Sequence, residues 1–105
     1  MTTEEGNKII MIFMGIKTDL PSSALTICQY HSSWDWLMPV VEKIESLGYV
    51  TQIWGLWNKN YTYSFSITQK GNLNIQVGRG ISDHSKIESV YTGVIEFINW
   101  YNKNT

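Results

Sequence analysis

The residues best suited to chemistry in this chain are one arginine, a set of tryptophans and two histidines. Arg79 is the sole arginine, and it stands in Gly78-Arg79-Gly80-Ile81-Ser82-Asp83-His84-Ser85. A strand-like run gives way there to helix-start signals. Free amides and the dipole at a helix start favour an anion, and a planar guanidinium grips phosphate through two parallel hydrogen bonds. Ser82 adds a hydroxyl at the same turn. The segment is not a P-loop, because no Gly-Lys-Ser/Thr follows. Asp83 would compete with a phosphate for the same amides, so an ordinary turn with a solvated arginine is the plainer alternative.

The second cluster is Tyr30-His31-Ser32-Ser33-Trp34-Asp35-Trp36. On a helix, Trp34 and Trp36 are splayed by about 200°, so one indole turns inward and the other elsewhere. Trp34 beside His31 reads either as a stacking platform or as a staple where the chain enters the helix. The third cluster is Trp54-Gly55-Leu56-Trp57 with Tyr61 and Tyr63 near one hairpin. Such aromatics line a pocket, cover the edge of a core or bury an interface, where aromatic anchors dominate.

Other chemistry finds little support. Cys28, His31 and His84 lack the spacing of a zinc scaffold. Cys28 and His31, three residues apart on an extended segment, point to opposite sides and make no nucleophile–base pair. Glu42 and Glu45 flank Lys43 on a solvated face, and Glu88 and Glu96 stand two helical turns apart. No acid/base, nucleophile or metal constellation emerges, so the expectation is a binding protein without catalytic residues and without a cofactor.

The elements that must position these groups follow from periodicity. Residues 1–7 read as a frayed tail preceding a single domain over 8–105. Ile9 to Met14 is apolar on both faces and reads as a buried strand. Ala24 to Gln29 is a candidate second strand. Ser32-Ser33-Trp34-Asp35 opens a helix, with Trp36, Leu37, Val40, Val41, Ile44 and Leu47 at helical spacing and Gly48 at its end. Pro39 inside that run predicts a kink or a fresh helix start. Tyr49 to Trp57, Tyr61 to Thr68 and Leu73 to Val77 read as a β-meander that Gly78-Arg79-Gly80 breaks. Tyr61, Tyr63, Phe65 and Ile67 mark the packed face, while Thr62, Ser64, Ser66, Thr68, Asn74 and Gln76 mark the face open to water or a partner. Ile87, Val90, Tyr91, Val94, Ile95, Ile98 and Tyr101 form the stripe of a last helix, with Ser85-x-x-Glu88 as its capping box and Ser82 or Asp83 as rival caps. The expected fold is α+β: a two-layer sandwich of an antiparallel β-meander plus an N-terminal strand, packed against two helices.

Composition sets the outer bounds. The 105 residues are 43% hydrophobic and 16% charged, with net charge −1, five Trp and six Tyr. No broad basic face is available for nucleic acid. No apolar run approaches the ~20 residues that span a bilayer. A lone cysteine and an acidic, polar N-terminus predict a cytoplasmic protein with no signal peptide. The aromatic excess predicts a homodimer or larger assembly.

The stretch Tyr30-His31-Ser32-Ser33-Trp34-Asp35-Trp36-Leu37-Met38-Pro39-Val40-Val41-Glu42-Lys43-Ile44-Glu45 resembles a family of small proteins of tailed phages and Bacteroidota. The run Ser85 to Tyr91, continuing through Val94-Ile95-Glu96-Phe97-Ile98-Asn99-Trp100-Tyr101-Asn102, looks like the same family. The two stretches cover roughly a third of the chain. The resemblance implies a phage or prophage setting, hence the cytoplasm of a host cell, and no catalytic residue. In that setting the expected function resembles that of the sponges that sequester a nucleotide-like, cyclic-nucleotide immune signal. Arg79 and Ser82 would hold the phosphate; Trp34, Trp54 or Trp57 would stack on the base, beside His31. The alternative is a protein–protein module that inhibits a host protein through its open sheet face.

Overall fold

The structure, a computed structural model, describes residues 2–16, 28–56 and 62–105. Its elements run α1 (Thr3–Phe13), α2 (Trp34–Ser46), β1 (Tyr49–Leu56), β2 (Thr62–Gln69), β3 (Asn72–Ser82) and α3 (Lys86–Asn104). The three strands form an antiparallel sheet in the order β1-β2-β3. The long helix α3 lies along β3 and β2, α2 packs on β1 and α3, and α1 packs on α3. The fold is α+β, as the meander and the helical stripes required.

The N-terminal element is a helix and not the strand expected over Ile9–Met14. The frayed tail expected over residues 1–7 gives way, among the described residues, to a helix that begins at Thr3. Thr2 caps it, its hydroxyl accepting from the Glu5 amide at 3.2 Å, and Glu4 and Glu5 complement the dipole in the first turn. The buried face is Gly6, Asn7, Ile10 and Met11, while Ile12 is exposed. A glycine and an asparagine on the inner stripe hid its helical period and left only the apolar run visible. The candidate strand over Ala24–Gln29 falls mostly outside the described residues. At its end Cys28 is buried, and the Asn7 side-chain amide donates to the Cys28 carbonyl at 3.1 Å.

Helix α2 runs unbroken through Pro39. The proline lacks only the amide that would have reached Asp35, and Leu37, Val40, Val41 and Ile44 remain on the buried stripe. Ser33 is the N-cap, but its side chain makes no capping hydrogen bond; its carbonyl receives the Leu37 amide at 3.0 Å. Gly48, with φ +99°, supplies the left-handed turn into β1. Lys43 ties α2 to α1 by donating to the Phe13 carbonyl, its ammonium 4.6 Å from the Phe13 ring centroid.

Strand β2 buries Phe65 and Ile67 completely. Lys70 and Gly71 turn the β2–β3 hairpin, with Gly71 at φ +87°. β3 does not break at Gly78-Arg79-Gly80. It continues to Ser82, and both glycines are strand positions pressed on α3. Removing two side chains lets the helix approach the strand backbone closely, which explains why glycine stands in a strand interior. Thr68, expected on the open face, is buried at 8% exposure beside a register irregularity at Ile67–Gln69. Part of the aromatic excess packs against the core: the buried Phe97 and the half-buried Phe13, Tyr49, Trp100 and Tyr101 form one ring cluster, with Tyr49 edge-on to Phe97 at 4.8 Å.

Candidate functional site

Sheet register decides which side chains share a face. Phe65 pairs with Gly80 and Ile53, and Ile67 pairs with Gly78 and Thr51. Gly78 and Gly80 face α3, so this set is the inner face. The intervening residues point the other way. Trp54, Ser64 and Ile81 form one row across the outer face, and Gln52, Ser66 and Arg79 form the next. Trp54 is 51% exposed and Ile81 47%; Arg79 and Gln52 are exposed, while the two serines are half-buried. Trp54 and Arg79 are two strands and two residues apart, so their Cα atoms lie about 12 Å from each other.

This corrects the placement of Arg79. It is a mid-strand residue, and the helix that follows begins only at Lys86. The turn between them is internally satisfied. Ser82 is buried, and its hydroxyl accepts from the His84 and Ser85 amides at 3.1 and 3.2 Å. Ser85 is the cap of α3, its hydroxyl accepting from the Glu88 amide at 2.9 Å, while its own amide donates to Ser82 where a full capping box would use the Glu88 side chain. Ser82 therefore shapes the strand-to-helix turn, and it faces inward, away from Arg79.

The tryptophan–histidine cluster is elsewhere. The His31 ring meets Tyr91 of α3 at 6.3 Å, and Tyr30 meets Trp36 edge-on at 5.3 Å. Tyr91 in turn contacts α1. Trp34 (37% exposed) and His31 thus belong to the helical layer, and Arg79 lies on the far side of the sheet. Of the three candidate stacking residues, Trp54 alone shares Arg79's face among the described residues. Trp57 lies outside them. His31 Nδ1 is buried without a hydrogen-bond partner among the described residues. Tyr30 is held above the ordinary tyrosine pKa, first by burial and then by the neighbouring Cys28.

The meander carries no acidic residue. From Tyr49 to Ser82 the chain has no Asp or Glu; its charged residues there are Lys59, Lys70 and Arg79. Every carboxylate side chain lies outside the meander. A guanidinium on the outer face therefore has no acidic neighbour on its own sheet. That pairing of Trp54 with Arg79 was legible only once the parity set by Phe65 was carried through both hairpins.

One groove of about 380 Å³ lies between the start of α1 and α3, lined in part by Thr2, Thr3, Tyr91 and Glu96. Among the described residues, none of the sequence-derived candidates lines it. No group of His, Cys, Asp and Glu that could hold a metal ion occurs among the described residues, and no described helix is long and apolar enough to cross a membrane.

Together these features define a small α+β domain whose outer sheet face, among the described residues, exposes Trp54 and Arg79 and carries no carboxylate. No protein-family model, curated protein or solved structure matches the chain.

Proposed function

We propose that this chain is a small, non-catalytic binding protein that captures a nucleotide-like anion on the outer face of its sheet. The observation that carries this reading is the pairing of Trp54 and Arg79 on one face, with Ser64 and Ser66 between them and no carboxylate on any strand. Trp54 stacks on the base. Arg79 holds the phosphate through a bidentate contact. Gln52 and the serine hydroxyls supply polar contacts between the two. Stacking on an aromatic contributes about 1–3 kcal/mol per base, and a hydrogen bond to a charged group about 1.5–3 kcal/mol. In the phage setting that the sequence resemblance implies, the ligand is a cyclic-nucleotide immune signal, held in the host cytoplasm.

The test is a thermal-shift screen against mono-, di- and cyclic nucleotides at about 1 mM, since a ligand bound only by the folded state raises melting by mass action. A shift that Trp54→Ala or Arg79→Ala removes supports the proposal. No shift with any nucleotide overturns it.

A second reading rests on the residue types of the same face. Tryptophan and arginine are the residue types enriched at protein hot spots. On this reading Trp54, Ile81 and Arg79 dock an acidic host protein, and melting responds only to that partner.

A further inference from the structure

The groove between α1 and α3 belongs to neither reading above, and its chemistry is the opposite of the sheet's. Its volume, about 380 Å³, is that of a small-molecule site. Its walls combine the apolar Ile95 with Thr2, Thr3, Tyr91, Glu96 and Asn99. Among the described residues no lysine or arginine lines it.

Tyr91 fixes the hydrogen-bonding sense of the groove. Its hydroxyl has two acceptors, the Thr3 carbonyl and Asn7 Oδ1, each at 3.2 Å. The Asn7 amide is oriented by its own donation to the Cys28 carbonyl at 3.1 Å, which turns Oδ1 toward the tyrosine. Whichever acceptor takes the tyrosine proton, the phenolic oxygen has only lone pairs left for a ligand. Burial pushes the Tyr91 pKa up to about 12, so the proton stays in place at physiological pH. Glu96 adds an acceptor with a full negative charge. The threonine hydroxyls and the Asn99 amide rotate to suit.

We propose that this groove binds a small aliphatic ammonium ligand of the polyamine class. Glu96 takes the ammonium by a charge-assisted hydrogen bond, the Tyr91 oxygen accepts a second N–H, and Ile95 packs on the methylene chain. The site sits on the helical layer, so it is independent of the nucleotide proposal.

Calorimetric titration of the full chain with cadaverine and with pentanediol, at physiological ionic strength, tests this. The two probes share a carbon chain and differ in their charged ends. Cadaverine should bind saturably and pentanediol should not, with amide NMR shifts concentrated at Thr92–Asn99. Glu96→Gln should weaken cadaverine about tenfold or more, the loss expected of one hydrogen bond to a charged group. Glu42→Gln, on the exposed side of α2, should leave it unchanged. The proposal is overturned by no saturable binding up to about 10 mM, by equal binding of the diol, or by equal losses in the two glutamine variants.

Discussion

Gly80 of β3 and Gly93 of α3 lie back to back. A methyl group on Gly80 would come within 2.5 Å of the Gly93 nitrogen and would run into the Ser89 carbonyl oxygen. One on Gly93 would sit 3.0 Å from the Gly80 nitrogen and 2.5 Å from the Phe65 ring. The helix therefore rests on the sheet backbone itself at this point, and the contact sets the distance between the two layers.

The contact makes Gly80→Ala the most damaging small substitution. The obstructing atoms are backbone and cannot swing aside. Overpacking of this kind costs about 1–3 kcal/mol and sometimes more, and we expect the upper end for Gly80→Ala in chemical denaturation. Gly71→Ala, in open space at φ +87°, should cost about 1–2 kcal/mol from backbone strain alone. A Gly80→Ala cost below that of Gly71→Ala would contradict the close approach of α3.

The same glycines show how far the sequence could be read. Tyr63, Phe65 and Ile67 announced β2, and the Ile87–Tyr101 stripe announced α3, because one buried face writes a clean period. Gly78-Arg79-Gly80 reads as a break because a glycine in a strand has the same local signature as a glycine in a turn. The difference lies in α3, which presses on them from later in the chain. The N-terminal helix looks like a strand in sequence for a related reason. Its buried stripe includes Gly6 and Asn7, whose fitness for burial depends on Tyr91 and Cys28. Trp54 and Arg79 were each singled out by type. Their shared face is a matter of register, which no single segment encodes.

Phe65 is fully buried at the centre of the inner face, against Gly93. Phe65→Ala should cost about 3–5 kcal/mol, measured as a lowered denaturation midpoint with an unchanged slope. A cost below about 1 kcal/mol would mean that this face is not core.

Tyr91 predicts alkaline sensitivity. Burial raises its pKa to about 12 from 10.0. Between those values the unfolded chain has released its phenolic proton while the folded chain retains it. Stability is therefore complete below pH 10 and is lost as pH rises toward 12. Tyr91→Phe should flatten that part of the stability–pH profile, leaving the contribution of Tyr30, whose pKa is raised in the same direction. An unchanged alkaline slope in Tyr91→Phe would contradict the assignment.

Exposed apolar side chains occur on both layers: Ile12, Trp34, Trp36 and Met38 on the helices, and Ile53, Trp54, Ile75 and Ile81 on the strands. The expected homodimer or larger assembly is tested on the helical set, since Trp54 is assigned to the ligand. Light scattering should give a mass of at least twice the 12.1 kDa of the chain. Trp34→Ser with Ile12→Ser should return it to the monomer without loss of fold. A monomeric mass for the unmodified chain at every concentration would contradict this.

The central claim is that Arg79 and Trp54 form one anion-binding face, and its most direct measurement is the affinity of Arg79→Lys. The nucleotide with the largest thermal shift is titrated into the unmodified protein, Arg79→Lys and Lys86→Ala, with tryptophan fluorescence as the readout. Lysine keeps the charge but loses the planar fork, so Arg79→Lys should weaken binding about tenfold, as loss of one charged hydrogen bond does. Lys86→Ala, at the start of α3, should bind like the unmodified protein, and binding should quench the indole emission. Equal affinity for Arg79→Lys and the unmodified protein would contradict the account.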